Sequence, residues 1–193
     1  LNCIFSSSMP KTISGFDFLL WKKKLLSYGG REIDLDWLID FGGGLNRLAI
    51  QSIYLNPDKI VSLTKSLDSL EKIWLKHLNS ETPLQYLIAR CPWRDFELEV
   101  SSDALIPRQE TELLIDFALT KVENLKFGRW ADLGTGSGPL AVSLAKSLPN
   151  WNGHAVDISN DALQLAKRNL ETHSPNSNVK LSLGDWWLPL RKW

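Results

Sequence analysis

Over the first eighty residues the apolar positions recur at intervals of three and four. Ile60, Leu63, Leu67, Leu70, Trp74 and Leu78 fall on one stripe, the mark of a helix that buries a single face. Phe16, Leu19 and Leu20 predict an earlier helix halted at Gly29-Gly30. Leu35, Leu38 and Ile39 predict another, ended by Gly42-Gly43-Gly44. Short helices separated by glycine turns, without strand-like alternation, predict a small all-α helical bundle. After Pro83 the period changes. Phe96-Glu97-Leu98-Glu99-Val100 alternates with period two, as a half-buried strand does. Its expected partner is the stretch 84–88, in a hairpin across Cys91-Pro92 that connects the bundle to the rest of the chain. A helix is then expected from Gln109 to about Lys121, with Glu110 and Glu112 in its first turn, where the helix dipole favours acids.

From Arg129 onward the pattern is α/β. Trp130 to Leu133 reads as a short strand that exits through Gly134-Thr135-Gly136-Ser137-Gly138, and Pro139 stands at a first helical position, where its missing N–H costs nothing. His154-Ala155-Val156 reads as a second strand ending in Asp157. Ser159 can cap the next helix, and Val179, Leu181 and Leu183 alternate in a third strand that ends at Gly184-Asp185-Trp186. Strands and helices in alternation, joined by tight turns, predict a parallel Rossmann-like sheet. The boundaries expected are a helical domain over residues 9–80, a connecting segment over 81–107 and the α/β part over 108–193.

Ligands of such sheets sit beyond the carboxyl ends of the strands. The first strand end carries the glycine turn, the second Asp157, the third Asp185 and Trp186. A carboxylate about twenty residues after the turn can accept both hydroxyls of a ribose. Asp185 could accept from an adenine amine and Trp186 could stack on the base. The set therefore points to an adenosine-containing cofactor. A dinucleotide usually wants G-x-G-x-x-G with its pyrophosphate at the helix N-terminus. The spacing here is G-x-G-x-G, and Asp132 suits a cationic sulfonium or ammonium, so S-adenosyl-L-methionine is favoured over NAD.

Composition narrows the partners. Lys plus Arg and Asp plus Glu are 22 each, leaving no net field toward nucleic acid or an anionic membrane. Lys22-Lys23-Lys24 is read as a solvated helix face, and His77 as a boundary residue rather than a ligand. Two cysteines, Cys3 and Cys91, suggest neither a disulfide framework nor a metal site. No apolar run approaches a bilayer span of about 20 residues. The expectation is a cytoplasmic monomer. Met9 is the only methionine, and residues 1–8 are expected to precede the natural start.

The motifs, taken together, resemble a known family. ALIPRQETELLID (104–116), ADLGTGSG (131–138), AVDIS (155–159) and GDWWLPL (184–190), in this order behind a helical part, are similar to the protein-(glutamine-N5) methyltransferases that modify peptide chain release factors, the HemK/PrmC type. TPLQYLIARCPWRDFELEV (82–100) resembles the family's connecting segment. The resemblance implies a class I S-adenosylmethionine-dependent methyltransferase fold and a release factor as protein substrate, methylated at the glutamine of its Gly-Gly-Gln loop. It implies cofactor contacts at Gly134, Thr135, Gly136, Ser137 and Gly138, with Asp157 on the ribose, Trp186 beside the adenine and Asp185 as a neighbour. It places Arg108, Glu110 and Thr111 on the substrate side. The family's usual proline at 109 is Gln109 here, so a looser helix entry is expected. In the family an Asn-Pro-Pro-Tyr motif holds the substrate glutamine. No Asn-Pro-Pro occurs in these 193 residues, so no catalytic residue is assigned and the expectation is a C-terminally truncated, inactive enzyme. Three alternatives stand beside this reading: a non-catalytic release-factor-binding fragment, a nucleic-acid adenine-N6 methyltransferase and an NAD-binding enzyme.

Overall fold

The computed structural model of the chain describes residues 11–191 and Trp193. The expectation about residues 1–8 and Met9, and the residue Cys3, lie outside the described residues. The chain divides into two compact units, Leu1–Ile88 and Ala89–Trp193.

The first unit runs β1 (Lys11–Ser14), α1 (Gly15–Ser27), α2 (Glu32–Gly43), α3 (Arg47–Leu55), β2 (Ile60–Leu63), α4 (Leu67–Ser80) and α5 (Leu84–Ile88). β1 and β2 pair antiparallel, Lys11 opposite Leu63 and Ser14 opposite Ile60. This corrects the all-α expectation. Ile60 and Leu63 satisfy a helical spacing, but Val61 and Leu63 are buried while Ile60 and Ser62 are exposed, and that period is two. α4 starts only after Ser66, whose hydroxyl accepts from the Ser69 amide at 3.2 Å, a helix cap. α3 has no counterpart in the expected elements; Asn46 caps it by accepting from the Ala49 amide at 2.9 Å. The core gathers Phe18, Leu25, Leu35, Leu38, Ile39 and Trp74, and Trp74 Nε1 donates to the Leu25 carbonyl at 3.1 Å. His77 is half-buried and its Nδ1 meets the Thr82 carbonyl at 2.8 Å, the position of a boundary residue.

The lysine run needs a second correction. Lys22 is only 2% exposed, with Nζ 2.8 Å from Glu32 Oε1 and 2.7 Å from Asp36 Oδ1. Successive helical residues point about 100° apart, so three lysines cannot share one face, and Lys22 falls on the buried stripe of Phe18, Trp21 and Leu25. Burial pulls the pKa of this ammonium down, but the carboxylates of Asp36 and Glu32 outweigh it and hold the value above the ordinary one.

In the second unit β3 (Arg90–Trp93) and β4 (Phe96–Glu99) form an antiparallel hairpin, with Arg90 opposite Glu99 and Trp93 opposite Phe96. The strand partner expected at 84–88 is thus corrected to 90–93. The Pro83 carbonyl accepts the Tyr86 and Leu87 amides at 3.1 and 3.3 Å, which turns 84–88 into the helix α5. The hairpin reverses tightly at Arg94, whose φ is 50°. A single 3-10 turn, Gln109–Thr111, precedes α6 (Glu112–Val122), so the regular helix begins three residues later than expected.

β5 (Arg129–Leu133), α7 (Pro139–Ser147), β6 (Asn152–Asp157), α8 (Asn160–His173) and β7 (Val179–Leu183) complete the unit. The three strands are parallel in the order β5-β6-β7, with Leu133 opposite Val156 and Asp157 opposite Leu183. Ala141, Val142 and Leu144 of α7 and Leu165, Ala166 and Leu170 of α8 are buried, the apolar faces that the spacing predicts. The register brings the ends of β5, β6 and β7 to one edge of the sheet.

Candidate functional site

β5 ends at Leu133 and the chain reverses through the glycine turn into α7. Gly134, Gly136 and Gly138 have φ of 76°, 56° and 84°, left-handed values that a side chain rarely tolerates. The turn is tied to the end of β6. Gly134 and Thr135 amides donate to the Val156 carbonyl at 2.8 and 3.0 Å, and the Gly138 amide donates to the Thr135 carbonyl at 2.8 Å. The Gly136 amide donates to Asp157 Oδ2 at 2.8 Å, while Asp157 Oδ1 accepts from the Ser159 amide at 2.9 Å. Four of the five amides of the turn are therefore spent inside the protein.

The three glycines differ beyond their shared backbone angle. A Cβ on Gly134 would meet nothing within 4 Å, and one on Gly136 would meet only the Ala104 methyl at 3.7 Å. A Cβ on Gly138 would press on Ala166 of α8 at 3.1 Å. The first two face open space and the third closes the helix packing.

That open space is a cavity of about 410 Å³, within the range of small-molecule sites. Gly134, Thr135, Gly136 and Ser137 form one wall, Asp132 and Asp157 the strand ends, and the stretch from Asp103 to Arg108 the opposite side, with Thr111, Pro139 and Trp93 completing it. Of the residues singled out in the sequence, Gly134, Thr135, Gly136, Ser137, Asp157, Arg108 and Thr111 come together here. Gly138, Glu110, Asp185 and Trp186 do not line the cavity. Asp185 and Trp186 come after β7 at the same sheet edge, where Trp186 is 66% exposed with φ 43°. Glu110 lies exposed in the 3-10 turn.

The electrostatics of the wall are one-sided. Asp103, Asp132 and Asp157 line it against the single guanidinium of Arg108. Asp132 is buried, and burial raises its pKa above the usual carboxyl range, while the Thr135 hydroxyl, donating at 2.7 Å, and the Ala141 amide pull it back. Carboxylates in excess of cations, beside spent amides, make a poor seat for a phosphate and a good one for a cation. Ser137 Oγ is buried without a hydrogen-bond partner; such an orphaned hydroxyl in a cavity wall awaits one.

Trp93 was not singled out in the sequence, where it reads as one aromatic of a strand. It is buried, its Nε1 donates to Ser143 Oγ at 2.8 Å, and that hydroxyl donates to the Pro139 carbonyl at 2.8 Å. The hairpin is thereby fastened to the first turn of α7. Among the described residues no group of His, Cys, Asp and Glu could hold a metal, and no helix is long and apolar enough to cross a membrane.

A parallel sheet with a glycine turn after its first strand and acids closing the next ends is the Rossmann-like core of a class I methyltransferase. Residues 109–187 match the family model of the methyltransferase small domain. Three curated relatives are named release factor glutamine methyltransferase. That of Prochlorococcus marinus is 55% identical over 188 residues, covering 96% of this chain and 64% of its own length. That of Synechocystis is 32% identical over 92% of this chain and 62% of its own. That of Gloeobacter violaceus is 37% identical over 88% and 59%. Over most of its own length the chain is similar to these relatives, and it spans less than two thirds of theirs.

Proposed function

We propose that the second unit binds S-adenosylmethionine and that the protein methylates the N5 amide of the glutamine in the Gly-Gly-Gln loop of peptide chain release factors. The observation that carries this reading is the cavity: a glycine turn with its amides already spent, facing carboxylates, in a chain 55% identical to a relative of that name. The residues present fit the cofactor. Gly134 and Gly136 leave room for a ligand against the backbone. Asp157 keeps lone pairs beyond those used by Gly136 and Ser159 and would accept the ribose hydroxyls. Asp132 would face the cationic part, and the orphaned Ser137 hydroxyl would gain a partner. Trp186 and Asp185 would take the adenine side. Bound there, the cofactor supplies a methyl group on a cationic sulfur.

On the acceptor side, Arg108 and Thr111 line the cavity, and Glu110 stands beside them in the 3-10 turn. A carboxamide nitrogen is a poor nucleophile because its lone pair is delocalised, so catalysis rests on orienting it in line with the methyl–sulfur bond. The Asn-Pro-Pro-Tyr motif that the resemblance assigns to this orientation is not among the 193 residues. The helical part, residues 9–80, is assigned to docking the release factor. Zero net charge speaks against nucleic acid as the acceptor, and the spent amides against NAD. A monomer acting in the cytoplasm completes the reading.

Calorimetric titration with S-adenosylhomocysteine tests it. The chain should bind with one site, NADH should give no heat, and Asp157→Ala should weaken binding about a hundredfold by removing a charge-assisted pair of hydrogen bonds. Unchanged affinity in Asp157→Ala would overturn the site assignment.

A further inference from the structure

Two stretches far apart in sequence face each other across the cavity: the glycine turn and the chain that leaves β4 toward Asp103 and Ala104. One side chain joins them. Asn169 of α8 is 2% exposed. Its Nδ2 donates to the Ser137 carbonyl at 2.8 Å and to the Glu99 carbonyl at 2.9 Å. Its Oδ1 accepts from the Glu99 amide at 2.8 Å. A side-chain amide offers two N–H donors and an acceptor oxygen, and here both kinds are used. Glu99, the last residue of β4, is held through both of its backbone polar groups, and Ser137 is held from the turn. Asn169 does not itself line the cavity. Arg168 also pairs with the Glu99 carboxylate at 2.8 Å, but both side chains are half exposed, where solvent leaves such a pair little weight.

We propose that Asn169 is a positioning residue, a clamp that sets the distance between the glycine turn and the opposite cavity wall and thereby the affinity for the cofactor. The inference rests on the S-adenosylmethionine reading above. A residue that merely fills the core would be replaceable by an apolar side chain of equal size; a clamp is not, because the Ser137 and Glu99 carbonyls would lose their donors.

The test compares Asn169→Asp and Asn169→Leu with the unchanged chain by titration with S-adenosylhomocysteine from about pH 5 to about pH 8. The aspartate keeps the acceptor for the Glu99 amide. When ionised, however, it turns an oxygen toward two carbonyls, and only when protonated can it donate to one of them. Its dissociation constant relative to the unchanged chain should be raised about tenfold or more at the alkaline end and shrink toward the acid end. The leucine variant should be weakened by a ratio that does not move with pH. A pH-independent ratio for Asn169→Asp, or an Asn169→Leu affinity within about twofold of the unchanged chain, overturns the clamp while leaving the cofactor reading standing.

If melting curves show that neither variant folds, amide hydrogen exchange on the unchanged chain decides. The ligand should then slow exchange over residues 96–100 together with 134–138, and protection of the turn alone overturns the proposal. Failure of the unchanged chain to bind at all would remove the cofactor reading and this inference with it.

Discussion

Lys22 in the first unit and Asp132 in the second are both buried charges, 2% and 7% exposed, and their surroundings differ in kind. Lys22 has two carboxylates within 2.8 Å, so the chain neutralises it. Asp132 has a hydroxyl and a backbone amide but no cation among the described residues. A buried charge is expensive unless paired. The first is a closed structural device. The second is an expense that a cationic ligand would relieve, which is how a site differs from a core.

Removing each charge should therefore act in opposite directions on stability. Lys22→Met should cost roughly 2–3 kcal/mol, because it leaves carboxylates facing each other without their cation. Urea denaturation measures this, and a loss under about 0.5 kcal/mol would mean that solvent already screens the pair. Asp132→Asn should instead stabilise the ligand-free protein by about 1 kcal/mol while weakening S-adenosylhomocysteine binding about tenfold. A destabilised asparagine variant would show that Asp132 is structural after all.

A smaller effect is the pH slope. The Asp132 carboxyl has a raised pKa. Its contribution to stability is present below the ordinary aspartate range and is lost as pH rises through the raised value. Glu32 is held below its usual range by the hydrogen bond from Lys22, so its contribution is present above the ordinary glutamate range and is lost as pH falls. The stability difference between Asp132→Asn and the unchanged chain should then widen with rising pH, and that between the unchanged chain and Lys22→Met should narrow with falling pH. Parallel slopes would dissolve the contrast. Smallest of all, Arg31→Ala removes a solvent-screened pair to Asp34 at 2.7 Å and should leave the urea midpoint where it is in the unchanged chain.

Legibility in the sequence tracks the range of the interactions involved. The three parallel strands, α7, α8 and the glycine turn of the second unit were legible because their signals are local: alternation, a proline at the first helical position, glycines at three positive-φ sites. The first strand of its hairpin was not, being expected at 84–88 and lying at 90–93. With the parallel strands and the turn came Gly134, Thr135, Gly136, Ser137 and Asp157 as residues lining one cavity, while Gly138 stands outside it. Lys22 was half legible, since it stands four residues after Phe18 and three before Leu25 on a buried stripe, but its partners lie on the next helix. The β1–β2 ribbon joins residues separated by most of the first unit, and no local pattern announces such a pairing. Asn169 was illegible for the same reason, because its partners lie 32 and 70 positions away. Trp93 reaches Ser143 across fifty positions.

The lashing of the glycine turn to β6 also has a kinetic side. A loop whose amides already hold the Val156 carbonyl and the Asp157 carboxylate has few conformations left to surrender when a ligand arrives. Little ordering entropy is then charged against binding, and association needs no prior closing step. The encounter should be a single fast phase whose observed rate rises linearly with ligand concentration, and differences in affinity among close analogues should appear as differences in how long each one stays.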